Sequence, residues 1–548
     1  MKDKINKVIQ IIVFISIFYF CTLPILSVII YGLAGKSALY NRAMFSRVFR
    51  LLGNSLALSI TVTVISVLLG ITVTFALYRI KLRSRKLLKV LMLLPIINPA
   101  FIGSISFIML FGKQGLITHK LLGLNVSPYG WQGVLILQVL SLTTLSYIII
   151  SSSIQKIDTT LEYAARNLGA SEKEVLFSVT LPMMVPEITA AALLVFLSSM
   201  ADFTTPLIIG GKFRTLASDL YVQITGVYNM KSAALSGIIL LIPCTIAFLL
   251  QRYFSKRKSY FTDQSCRDSN IEYENVSPLV KAALIFVTFA VISISVVNFV
   301  FIIIGVFTKN WGYDYAFTLK NLKEAMNYNL KPYFNSVKLS VIVAFLSSLI
   351  GVLLAYFINR KKIILPYWID FMGVFPAAVP GILFGIGYLV TFKYPLFGFT
   401  HLVLLGTGVI IYFICISRSL NVSMKSGYAL LEHMDPDLEN ASYDLGAGRI
   451  QTFFYIIIPQ LKDAFCAAYI KTFSSTMTTL GAIIFLLLPE NKVAVQVIFQ
   501  AITSSPIGVS STLALMLSML NLLLMGVFCL IIYKKELKDK FRRIDNEN

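Results

Sequence analysis

The chain has 548 residues, 57% of them hydrophobic and 14% charged, with a mean hydropathy of +0.79. Soluble domains carry roughly 25% charged residues; the shortfall here excludes an ordinary water-soluble fold and leaves the bilayer as solvent. The formal charge of +22 does not point to nucleic acid: the basic residues sit in runs between apolar segments, the pattern that holds loops on the cytoplasmic side of a membrane.

Taken in chain order, Lys2, Lys4 and Lys7 precede an apolar stretch over 8–34. It is longer than the core of a secretory signal and no small-x-small site follows it closely, so a retained first span is expected. The stretch 36–50, with Arg42, Arg47 and Arg50, fits an external loop poorly; a place along the membrane surface is one alternative, and the sequence leaves its placement open. Further apolar segments lie near 54–78, 88–111, 131–154, 187–211 and 233–251. A polar, charge-mixed connector fills 253–278, and a second apolar set follows near 279–306, 335–358, 368–391, 399–420, 463–488 and 511–533. Each is long enough to cross a bilayer, which takes about 20 residues. Barrel strands would alternate over roughly ten residues, so the expected fold is an all-α polytopic membrane protein with about twelve spans. Basic runs at Arg79–Lys89, Arg252–Lys258 and Lys534–Arg543 place both termini in the cytoplasm.

Six scattered cysteines and the isolated His119, His401 and His433 show no metal-ligand or disulfide spacing.

The two sets of spans repeat each other. Asn54-Ser55 precedes Gly70 by 16 residues and Arg79 by 25, as Asn335-Ser336 precedes Gly351 and Arg360. Pro95 and Pro99 match Pro376 and Pro380 at the same shift of 281. Later, Asp158-x-x-Leu-Glu matches Asp435-x-x-Leu-Glu, Leu168-Gly169-Ala170 matches Leu445-Gly446-Ala447, and Pro182 matches Pro459, now at a shift of 277. Polar and breaker residues carry the match, so the domains are expected as a first half over 1–252, a linker over 253–278 and a second half over 279–548. With six spans each, the halves are parallel repeats about an axis along the membrane normal. Asn54 and Asn335 are expected to cap the helices they open.

Between spans, each half carries an amphipathic segment, near 155–186 and 432–462. Leu161, Ala164, Ala165 and Leu168 form one helical face, Gly169 ends the helix, and Ser171-x-x-Glu174 offers a capping box for the next. Leu438, Ala441 and Leu445 repeat the stripe before Gly446. A pair of small residues followed by Gly and then by Leu181-Pro182 or Ile458-Pro459 resembles the cytoplasmic loop of type I ABC importer permeases, the MetI-like fold. The family often has glutamate where Tyr163 and Asn440 stand; here acids sit one residue earlier, at Glu162 and Glu439, and Ser442 replaces the second alanine.

The resemblance implies that Glu162, Ala164, Ala165, Gly169, Pro182, Glu439, Ala441, Ser442, Gly446 and Pro459 couple the chain to an ATPase. It also implies two copies of that ATPase as partners, carrying ATP and Mg, an extracytoplasmic solute-binding protein, and a place in the cytoplasmic (inner) membrane. No phosphate-binding loop or catalytic cluster occurs in the sequence, so no cofactor and no enzymatic activity are expected of this chain.

Val379-Pro380-Gly381-Ile382, Gly385-Ile386-Gly387-Tyr388 and the stretch Met477 to Leu486 resemble fused iron(III) permeases, which makes ferric iron the favoured substrate. Ala201-Asp202-Phe203-Thr204-Thr205-Pro206 resembles phosphonate and polyamine permeases, so 2-aminoethylphosphonate, polyamines or another small solute stand as alternatives. Asp202, Thr204 and Thr205 are the expected substrate-path residues, since an intramembrane carboxylate is a functional candidate by default; helix-end hydrogen bonding is the competing reading. An ion-gradient carrier is the rival of another class, but it would need several ionisable residues at mid-membrane depth.

Overall fold

In the computed structural model the described residues are 2–34, 42–97, 101–123, 128–155, 157, 159–256, 277–327, 330–360, 363, 365–393, 403–435 and 437–547. Most of the expected linker (257–276), Asp158 and His401 lie outside them.

The described chain is helical except for loops and one antiparallel hairpin, Thr308–Asn310 with Asp314–Phe317. Among the described residues nine helices are long and apolar enough to cross a membrane, or ten if one bent pair counts as a span. The bent pair, Pro366–Ala377 and Gly381–Thr391, turns by 113° at Pro380, where the missing amide hydrogen breaks the helical ladder. Its expected counterpart, 88–111, is also divided, into Arg85–Leu91, Leu94–Ile97 and Phe101–Phe111. The segment expected at 399–420 is found as Ile410–His433, which carries Arg418, Lys425 and Glu432.

Two boundaries differ from expectation for local reasons. The helix Arg42–Arg79 is continuous, so residues 42–50 extend a span and are not a separate surface segment. Arg47 is satisfied there by the carboxylate of Asp219. The span expected at 187–211 runs earlier, over Leu181–Ala201, and the chain restarts at Thr204–Ile209.

Two compact units divide the chain. The larger comprises 35–327 and 500–515; the smaller comprises 1–34, 328–499 and 516–548. In the larger unit Arg42–Arg79 packs on Trp131–Ile154, Leu181–Ala201 lies against both, and Pro278–Phe307 packs on Arg42–Arg79 and Phe101–Phe111. In the smaller unit Lys331–Arg360 packs on Ile410–His433, with Ile458–Met477 against both. Leu23–Leu33 packs there on Gly381–Thr391, and the Tyr388 hydroxyl donates to the Phe20 carbonyl at 2.8 Å.

The repeated residues do the same work twice. A Cβ on Gly70 would stand 2.4 Å from Ser146 Oγ, and one on Gly351 2.3 Å from Ser423 Cβ. Both glycines let two helix backbones approach more closely than any side chain permits. The asparagines are not caps of their own helices. Asn54 donates to the Arg214 carbonyl at 3.1 Å; Asn335 donates to those of Glu490 and Lys492 at 3.2 and 3.0 Å. The adjacent Ser55 and Ser336 accept the first amides of Leu216–Thr225 and Ala494–Ser504 at 2.8 and 2.9 Å. Each Asn-Ser pair therefore pins the entry of a distant helix, satisfying amides that helix cannot satisfy itself.

Candidate functional site

The two inter-span loops are built alike. Thr159–Asn167 and Asp437–Asp444 are short helices, each closed by a glycine in the left-handed region, Gly169 at φ +88° and Gly446 at φ +86°. Gly169 N donates to Arg166 O at 2.9 Å and Ala170 N to Ala165 O at 3.0 Å; Gly446 N donates to Tyr443 O at 2.9 Å and Ala447 N to Ser442 O at 3.0 Å. This pair of bonds is the Schellman termination, which needs an αL residue at the turn. The expected capping box at Ser171 and Glu174 forms, and in the second loop Gln451 Oε1 accepts from Gly448 N at 2.9 Å in the same place. Each loop then runs through a short helix and a π turn into the helix that carries Pro182 or Pro459 in its first turn. There the missing proline amide costs no intrahelical bond.

The two acids face inward. Glu162 is fully buried and accepts from Arg79 Nη2 at 2.8 Å and from Thr180 Oγ1 at 2.7 Å. Arg79, the last residue of Arg42–Arg79, is itself 1% exposed. Glu439 is 7% exposed and accepts from the Tyr356 hydroxyl at 3.2 Å. Arg360, the repeat partner of Arg79, ends Lys331–Arg360 and donates to the carbonyls of Leu431 and Met434. In both halves an arginine at the end of a long helix thus reaches the base of the loop.

Outward, each loop exposes a leucine and small residues beside polar ones such as Asn167 and Asp444. Leu168 and Leu445, each just before its glycine, are both 89% exposed. Around them Ala164 and Ala441 are exposed, Ala165 is half-buried and Ser442 is buried, its hydroxyl 2.9 Å from Thr452 Oγ1. Gly169, Gly446, Pro182 and Pro459 are exposed as well, and a Cβ on either glycine would meet nothing within 4 Å. Each loop therefore presents a protruding leucine beside a glycine-closed turn. Sequence periodicity found the stripe but not the protrusion. The Arg166–Glu172 clamp, bidentate at 3.0 Å, was also missed; its only signal was opposite charges six residues apart across a glycine turn.

Asp202 stands apart from this site. Its Oδ1 accepts from Thr204 N at 3.0 Å, Thr204 Oγ1 at 2.8 Å and Thr205 N at 3.2 Å, which caps Thr204–Ile209. Its Oδ2 accepts from Gln138 Nε2 at 2.9 Å. Thr204 and Thr205 are buried. This is the helix-end hydrogen bonding that the sequence offered as the competing reading.

Among the described residues no group of three His, Cys, Asp or Glu side chains is placed to hold a metal ion. Residues 64–260 match the family model described as binding-protein-dependent transport system inner membrane component. The chain is 30% identical to the ferric transport system permease protein FbpB of Actinobacillus pleuropneumoniae, over 84% of this chain and 68% of that protein. A ferric transport system permease of Haemophilus influenzae, FbpB 1, is 29% identical over 82% and 72%. The molybdenum transport system permease protein ModB of Escherichia coli is 26% identical over 37% and 70%. With paired inter-span loops, apolar spans and these likenesses together, the chain belongs to the family of inner-membrane permease components of binding-protein-dependent transport systems.

Proposed function

We propose that this chain forms the membrane path of an ATP-driven importer for ferric iron, and that the twin loops receive a separate ATPase. The observation that carries the docking is the pair of leucines, Leu168 and Leu445, 89% exposed on matched glycine turns. An apolar side chain held out on a rigid turn gains little unless a partner buries it. The inward acids Glu162 and Glu439 then tether the loops to the core, and the exposed faces around Ala164 and Ala441 meet the motor. Two ATPase copies, one per loop, would carry ATP and Mg; an extracytoplasmic solute-binding protein would deliver cargo. Both termini lie in the cytoplasm, and the sequence halves 1–252 and 279–548 act as parallel repeats. Iron rests on the likeness to ferric permeases.

The test uses cells carrying the whole importer. Leu168→Asp with Leu445→Asp should leave the chain in the membrane and abolish both ATPase co-purification and uptake of labelled ferric iron. Retained co-purification would sink the docking surface. Iron uptake by the unaltered importer in ATP-free vesicles under an ion gradient would favour the carrier reading instead.

A further inference from the structure

Among the described residues, the smaller unit holds an arginine inside a helix bundle with no acid paired to it. Arg418 lies on Ile410–His433, about 12 Å along the axis from one end and about 22 Å from the other at 1.5 Å per residue, just after the apolar run Ile410–Ile416. Its Nη1 donates to the Val379 carbonyl at 2.9 Å, at the break of the bent pair. The Phe384 ring centroid stands 6.0 Å from its Cζ. Gly381 packs beside it: a Cβ there would fall 3.2 Å from Ala482 N and 3.6 Å from Arg418 Cζ.

A guanidinium has five N–H donors, and one acceptor accounts for one of them. Among the described residues no carboxylate pairs with Arg418, and none of its nitrogens is both sealed from solvent and partnerless. Arg418 is half-buried, so its remaining donors are not all sealed inside the bundle. On the same helix and on its packing partner Ile458–Met477, Lys425 and Lys471 are exposed and within electrostatic reach of each other, with Asp370 the acid near Lys425. Tyr428 donates to that Asp370 at 2.9 Å.

The repeat supplies an internal control. At the shift of 277 the first half has Ser141, Ile148 and Leu194 where the second has Arg418, Lys425 and Lys471. One half of the sequence thus places neutral residues at the positions where the other carries three cations. An intramembrane charge is costly and marks a functional path by default.

We propose that Arg418 is an anion station in the substrate path of the second half, so that iron crosses with a coordinated carboxylate or phosphate oxyanion and not as a bare trivalent cation. A bare cation would be repelled by the Arg418 guanidinium, whereas an oxyanion ligand would accept its remaining donors in the forked geometry that arginine presents. This rests on the iron reading above.

The experiment measures uptake of ferric citrate labelled in the iron by vesicles containing the complete importer, with ATP hydrolysis read in parallel. Arg418→Gln removes the charge and leaves a shorter polar side chain with fewer donors. It should lower uptake about tenfold or more, the scale of one lost charge-assisted hydrogen bond, while Arg418→Lys, which keeps the charge and loses the fork, should lose less than Arg418→Gln. Unchanged uptake in Arg418→Gln overturns the proposal, and so does an equal loss in both variants. If neither variant assembles, Lys425→Gln with Lys471→Gln, at exposed positions, should still lower uptake; no change there overturns it. Should the wild-type importer take up no iron at all, the iron reading falls by itself. In that case, loss of 2-aminoethylphosphonate uptake in Arg418→Gln would preserve the anion station, and its persistence would remove it.

Discussion

The two loops share one backbone design and differ in what fastens it. Both end their short helix in the same hydrogen-bonded glycine turn and both expose a leucine to the same degree. The first is fastened by charge: Arg79 on the buried Glu162, and Arg166 in a two-bond clamp on Glu172. The second uses hydroxyl and backbone groups: Tyr356 on Glu439, Ser442 beside Thr452, and Arg360 on carbonyls. The shape of a loop and its attachment are therefore set by separate residues. Shape comes from glycine and the small residues, which repeat; attachment comes from side chains that have diverged.

The contrast is broken or sharpened most directly at the arginines. Arg79→Ala leaves Glu162 buried without its charge partner and should cost about 3–5 kcal/mol. Arg360→Ala removes bonds to carbonyls and should cost about 1–3 kcal/mol. Thermal unfolding of the purified protein in detergent measures both, and equal losses would erase the distinction between the loops.

Next in size, Gly169→Val and Gly446→Val each force a β-branched residue into the left-handed region, costing at least about 1–2 kcal/mol, at positions where an added Cβ meets nothing within 4 Å. ATP hydrolysis should continue while transport fails, equally for both sites if shape alone is shared. Normal coupling in both variants would count against the docking surface.

The smallest effect is expected at the clamp. Arg166 and Glu172 still touch solvent, at 20% and 18% exposure, so Arg166→Ala should cost about 1 kcal/mol, less than loss of the sealed Arg79–Glu162 pair. It should also make protease cleavage of the first loop less sensitive to salt, because the attraction it removes is screened by ions. The second loop, with Tyr443 at the matching position, should show no such salt dependence.

Much of this was legible in the sequence because breakers and polar residues in an apolar background stand out. Gly70 and Gly351 were visible as a repeat, and close helix approach is the reason they repeat. Gly169, Gly446 and the Ser171–Glu174 box were read for what they are. The reading failed where a side chain serves a remote part of the chain. Asn54 and Ser55 act on residues 214–216, some 160 positions away, and spacing along the chain cannot report that. Asp202 had the opposite fate: its Oδ1 is used by neighbours two and three residues on, a local cap that an intramembrane acid conceals, while its Oδ2 takes the Gln138 amide. Arg418 escaped attention because hydropathy averages dilute one cation among isoleucines.

The division into units has a consequence for biosynthesis. Leu23–Leu33, made early, packs on Gly381–Thr391, while the unit that contains Trp131–Ile154 takes in Pro278–Phe307 from beyond the mid-chain linker. Neither core can close while the ribosome is still working on the first half. The earliest helices must wait in the lipid, apolar enough to do so alone, until partners hundreds of codons downstream have been inserted beside them.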